Sequence, residues 1–91
     1  MQTIRWTEEA TTDLVEIIDY IDQRNSLAAD ALHSMILRAV EGLSSAPYLF
    51  RPGRVSGSRE CVVHPNYIVI YQIGEEHIDV LRILHSRQKY P

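Results

Sequence analysis

His64-Pro65-Asn66-Tyr67-Ile68-Val69-Ile70-Tyr71 and, after Gly74-Glu75-Glu76, Ile78-Asp79-Val80-Leu81-Arg82-Ile83-Leu84-His85-Ser86-Arg87 decide the fold of this chain. Tyr67 to Ile73 is apolar at nearly every position, which is what a central strand with both faces covered requires. His64-Pro65-Asn66 turns the chain into it from an earlier strand beginning Arg59-Glu60-Cys61-Val62-Val63, since proline and asparagine favour turn geometry. Gly74-Glu75-Glu76 makes the next turn, into a strand over His77–His85. Three antiparallel strands therefore occupy the C-terminal half, with Arg82, His85 and Arg87 at the mouth of their sheet.

Working back from there, Gln2 to Trp6 suits a short first strand. Thr7 reads as a helix cap, with Glu8 and Glu9 where the positive end of the helix dipole favours acids. Ala10, Leu14, Ile17, Ile18 and Ile21 follow at helical spacing and leave Asp13, Glu16, Asp19 and Asp22 outside. Arg24-Asn25-Ser26 breaks the pattern, and Ser26 is the expected cap of a second helix. That helix is expected to bury Ala28, Ala31, Leu32, Met35, Ile36, Ala39, Val40 and Leu43, and to close at Gly42, Ser44, Ser45 and Pro47. Tyr48 to Ser58, with Pro52, Gly53 and Gly57 among arginines, reads as an exposed loop. The fold class is α+β, in the order β-α-α-β-β-β, with a helical hairpin packed on a small twisted antiparallel sheet.

The 91 residues make a single domain over 1–91. A chain this short buries only about two thirds of its unfolded surface, so good packing or a partner matters to it. Cys61 is the sole cysteine, which excludes an internal disulfide and suits a reducing compartment. The first residues lack the apolar core of a signal peptide, and no stretch approaches the roughly 20 apolar residues of a membrane span. A cytoplasmic location without membrane contact is the expectation. Residues 1–46 carry three basic residues against eight acidic, a net of −5; residues 47–91 carry six against four, a net of +2. The overall −3 disfavours a nucleic-acid partner held mainly through phosphates, while the basic C-terminal half leaves one open.

His33, His64, His77 and His85 are scattered, without paired cysteines or zinc-type spacing, so neither a metal nor a cofactor is expected. Cys61 falls inside a strand, where a thiol is ordinarily a small core residue. The residues to weigh are Arg59, His64, Asn66, Arg82, His85, Arg87, Lys89 and Tyr90. RNA cleavage by 2′-hydroxyl attack needs a base, an acid and cations for the charged intermediate, roles open to His85 and to Arg59, Arg82 or Arg87. Regular alternation places Arg82 and His85 on opposite faces, so they share a site only if the strand bulges or frays near Leu84. The structural alternative is that His85 and Arg82 cap the sheet and pair with helix acids such as Asp13 or Glu16. Tyr48, Tyr67 and Tyr71 read as core or sheet-edge packing. The loop arginines Arg51, Arg54 and Arg59 suit a solvated surface and a binding patch equally well.

Taken together, the short strand, the acid-rich helical hairpin, Pro47-Tyr48, Arg59-Glu60, His64–Tyr71 and Val80–Arg87 resemble the RelE/ParE toxin superfamily over nearly the whole chain. The resemblance implies the toxin of a type II toxin–antitoxin pair, neutralised by a cognate antitoxin whose disordered segment folds along the toxin surface. It also implies one of two activities. RelE-like members cut messenger RNA on the ribosome, and here the carried-over catalytic candidates are Arg59, Asn66, His85 and Arg87. ParE-like members bind DNA gyrase and block replication without catalysis of their own. The net charge, the acidic first half and the scarcity of lysine resemble the ParE-like branch more closely. On that branch Arg82, Arg87, Lys89 and Tyr90 are the expected target-binding residues, with a homodimer of the free chain left open.

Overall fold

The computed structural model describes residues 2–89. Thr3–Trp6 forms β1, Glu8–Asp22 α1, Ser26–Gly42 α2, Arg51–Pro52 β2, Ser58–His64 β3, Tyr67–Ile73 β4 and His77–His85 β5. The five strands lie in the order β1-β5-β4-β3-β2. The α+β order expected from the sequence is present, with two additions: the two-residue β2 on the β3 edge, and a parallel pairing of β1 with β5. The other three pairings are antiparallel. The crossover that parallel pairing requires is made by everything between β1 and β5.

Thr7 caps α1 as expected, accepting from the Ala10 N–H at 3.1 Å. Its hydroxyl also lies 2.9 Å from the Val80 carbonyl and 3.0 Å from that of Leu81, which ties the helix start to β5. Arg24 closes the other end of α1 by donating to the Tyr20 carbonyl while stacking 3.8 Å from the Tyr20 ring centre. The cap of α2 is Asn25 rather than Ser26. The Asn25 side-chain oxygen accepts from Ala28 N–H at 3.1 Å, and Ser26 is the first helical residue. Asparagine caps as well as serine does, and the Asn25 N–H is already bound to the Ile21 carbonyl, which leaves this residue at the helix entrance.

The buried face of α2 is narrower than its apolar pattern. Ala29, Leu32, Ile36, Val40 and Leu43 are buried, Ala39 is half-buried, and Ala28, Ala31 and Met35 are exposed. A helix at one side of a two-layer domain covers the core with a single stripe, so part of a wide apolar face stays outside. The main core joins Leu32, Ile36, Val40, Leu43 and Ala10 to Cys61, Val69, Tyr71, Ile78, Val80 and Ile83 on the inner face of the sheet. Each fully buried aliphatic side chain there stabilises by about 1.5–3 kcal/mol. The fully buried Tyr71 ring ends in a hydroxyl that donates to the Pro47 carbonyl at 2.6 Å, fixing the chain after α2. Ile68, Ile70 and Leu84, with Leu81 against them, form a second cluster on the other face. β4 is therefore buried on both sides, as its unbroken apolar run requires.

Arg5 and Asp79 are register partners across β1 and β5 and form an ion pair at 2.8 Å. The Arg5 hydrogen bond holds the Asp79 carboxyl below the usual carboxylate range. A lowered folded pKa contributes stability above the unfolded value, near about 4, and loses it as pH falls through the folded one. Asp79→Asn should therefore lag the wild type in urea melts at pH 7, with the gap closing toward pH 2. A gap independent of pH would mean that the carboxylate's charge has no part in this edge.

Candidate functional site

The mouth of the sheet is built where β4 begins and β5 ends. Register pairs Tyr67 with both His64 and His85, so one phenol ring sits between two imidazoles. The ring centres are 5.9 Å apart for His64–Tyr67 and 5.5 Å for Tyr67–His85, the latter edge-on at 75°. Both histidines use Nδ1 in the same way. His64 accepts from the Asn66 N–H at 3.0 Å and His85 from the Arg87 N–H at 3.2 Å. The neutral rings then carry their hydrogen on Nε2, the nitrogen left for proton exchange or for a partner. Beyond His85 the chain reverses: Ser86 N–H donates to the Asn66 carbonyl and Gln88 N–H to that of His85.

β5 carries a bulge that alternation alone does not reveal. Ile70 pairs with Arg82 and Tyr71 with Val80, leaving Leu81 as the extra residue. The bulge lies at Leu81–Arg82, not near Leu84, and from Arg82 to His85 the register is unbroken. The bulge brings Ile83 onto the face of Ile78 and Val80, and Arg82 shares a groove with His85 because its side chain reaches Asp13. Asp13, Glu16, Ile17 and Tyr20 of α1 form the opposite wall, and the groove has a volume of about 290 Å³. Asp13 faces the sheet rather than solvent. It accepts from Arg82 Nε at 2.7 Å and Nη2 at 3.0 Å, and from the Ile83 N–H beside the bulge at 2.9 Å. A second, more acidic cleft adjoins, lined by Glu8, Glu9, Thr12, Asp13, Glu16 and Arg82.

Asn66, His85 and Arg87 are thus gathered at the mouth, whereas Arg59 is not. Arg59 pairs with Tyr71, four residues along β4 from Tyr67, or about 13 Å at the ordinary rise of a strand. There it donates to the Phe50 carbonyl at 2.7 Å and lies 5.0 Å from the Tyr48 ring centre, holding the chain after α2. Arg82 is bound to Asp13, while Arg87 and Lys89 are exposed on the tail. Tyr90 lies outside the described residues. Burial pushes the Cys61 thiol up, the opposite of what a nucleophile needs. Among the described residues no three metal-binding side chains converge, and no helix is long and apolar enough to cross a membrane.

Two features of this region escaped the sequence reading. One is Gln88, whose side chain lines the groove and accepts from the His85 N–H. The other is Glu60, buried in β3 and bound by Arg51 and Arg54. A single acid inside an apolar strand, with arginines shortly before it, was a usable signal for the second.

The family model of the ParE toxin of type II toxin–antitoxin systems matches residues 4–90. Over 89 residues the chain is 36% identical to the candidate toxin Y4kP of Sinorhizobium fredii, covering 97% of this chain and 92% of that protein. Toxin RelE2 of Caulobacter vibrioides is 33% identical over 88 residues, covering 94% and 97%. Among solved structures, a chain of the chromosomal ParDE system from P. aeruginosa superposes with a TM-score of 0.84 at 24% identity, covering 93% of this chain and 96% of that one. A chain of the toxin–antitoxin complex RelBE2 from Mycobacterium tuberculosis gives 0.67 at 22% identity, covering 92% and 96%.

Proposed function

Since this chain belongs to the ParE toxin family of type II toxin–antitoxin systems, we propose that it arrests growth by binding DNA gyrase and blocking replication, without catalysis of its own. The observation that carries the reading is the charge around His85. Glu16 stands on the wall of the groove that His85 lines, where Asp13 is already paired with Arg82, and the adjoining cleft adds Glu8 and Glu9. Aqueous carboxylates repel an RNA backbone, whose recognition rests on neutralising phosphates. Arg59, one of the cations offered for a cutting site, is about 13 Å of strand away from the mouth, and Arg82 is committed to Asp13. The exposed cations of the C-terminal half, Arg87 and Lys89, suit a protein surface of opposite charge. A cognate antitoxin is the other partner, and the exposed apolar side chains Val15, Leu27 and Met35 on the helical hairpin offer it a surface.

The reading is tested by inducing the protein in antitoxin-free bacteria and following labelled thymidine and labelled methionine incorporation over the first minutes. DNA synthesis should stop first, and purified gyrase should then be inhibited by the purified chain. If protein synthesis stops first, the ribosome is the target. In that case His85→Ala should remove messenger cleavage while antitoxin binding is kept, and Asn66 and Arg87 become the next residues to replace.

A further inference from the structure

Glu60 is the one buried charged residue among the described residues, with its side chain 4% exposed. It lies beside Ile70 on the sheet face turned away from the helices. A carboxylate in such a place is tolerated only when its oxygens are paired and hydrogen-bonded. Arg51 binds Oε1 through Nε at 3.3 Å and Nη2 at 3.1 Å. Arg54 binds Oε2 through its backbone N–H and its Nε, both at 3.1 Å. Together these bonds satisfy Glu60. Arg54 makes one bond more, from Nη1 to the Gln88 carbonyl at 2.9 Å.

That extra bond reaches across the sheet. Glu60 is on β3 and Gln88 follows β5, with β4 between them. The planar guanidinium holds both acceptors at once, a geometry that a single ammonium does not reproduce. The loop presenting Arg54 has little freedom to sit elsewhere. Gly57 has a φ of +82°, and a Cβ at Gly53 would collide with Ser58 Oγ and come within 3.2 Å of the Ser58 carbonyl carbon. Because Gln88 is held by its main chain, the hold constrains the path of the tail rather than one side chain.

We propose that Arg54, anchored on Glu60, is a positioning residue that locks the C-terminal tail in the pose from which Arg87 and Lys89 engage the target. The inference rests on the tail-docking reading above. It adds the part of the molecule that keeps the tail from fraying, which an exposed terminal segment otherwise does.

The discriminating variant is Arg54→Lys, which leaves a cation beside Glu60 but removes the fork. Its melting temperature should stay within about 3 °C of the wild type and its antitoxin affinity should be unchanged. Amide exchange at Arg87 and Gln88 should speed up about tenfold. Growth inhibition in antitoxin-free cells, and inhibition of purified gyrase, should weaken about tenfold as the docking pose loses pre-organisation. Unchanged exchange, or faster exchange with full potency, overturns the proposal. A chain cut after Ser86 separates this failure from failure of the underlying reading. If that chain stays toxic, tail docking is wrong and the positioning role falls with it. If it is inactive while Arg54→Lys is fully potent, only the positioning role falls.

Discussion

Replacing Asp13 by alanine is expected to destabilise the fold by about 3 kcal/mol, the cost of breaking a largely buried, hydrogen-bonded ion pair. The side chains of Asp13 and Arg82 are only 12% and 28% exposed, and their two bonds are short and parallel. Exposed pairs are worth far less because water screens them. Asp13 also accepts from the Ile83 N–H, so its loss removes an acceptor from a backbone donor beside the bulge. A domain of this size has a total stability on the order of 5–10 kcal/mol, so the change removes a large part of it. The melting temperature should fall by about 15 °C, and the urea midpoint should drop with an unchanged slope. Asp13→Asn, which keeps the shape and loses the charge, should melt between the wild type and the alanine variant. A loss under about 1 kcal/mol would put this pair among the solvated ones and leave the bulge to be held by Thr7.

Removing residues 87–91 should have the opposite profile: toxicity abolished, fold kept. The cut takes away the Arg87 N–H bond to His85 Nδ1, both hydrogen bonds between Gln88 and His85, and the Arg54 bond to the Gln88 carbonyl. These are exposed hydrogen bonds at the rim, and together they should cost no more than about 2 kcal/mol. The core, the helical hairpin and all five strands lie within residues 3–85 and are untouched. Growth curves after induction and antitoxin titration on the same preparation give both readouts. A shortened chain that remains fully toxic would remove Arg87, Lys89 and Tyr90 from the target surface. A shortened chain that no longer binds antitoxin would mean that the tail belongs to the neutralising interface instead.

The strands were legible because period and composition change sharply along the C-terminal half. Nothing but a doubly buried strand explains Tyr67–Ile73, and glycine and proline mark the turns beside it. The helices were legible for the same reason, but their buried faces were less so. Met35 and Ala31 have the residue types of a core and lie outside it, since periodicity does not say how wide a stripe the rest of the chain can cover. The site was read as a cluster of types, and its geometry depended on one inserted residue. The bulge at Leu81 brings Ile83 onto the face of Ile78 and Val80, and its signal is spread over Asp13, Thr7 and Arg82, with about 70 residues of chain between the helix start and the strand. Local patterns carry no such long-range pairing. Arg59 illustrates the same limit, since its role is set by the Phe50 and Tyr48 carbonyls it meets after folding.

The parallel pairing of β1 with β5 sets a timetable. Thr3–Trp6 is made before every other element of this sheet and finds its neighbour only once His77–Val80 has followed. Closing that loop is the most entropically demanding step of the fold, and it cannot be taken early. Until then the apolar residues of β5's inner face, Ile78 and Val80, have no completed sheet to join. The five-stranded sheet is therefore completed only after β5 has been made, whatever order the helices and the other strands form in.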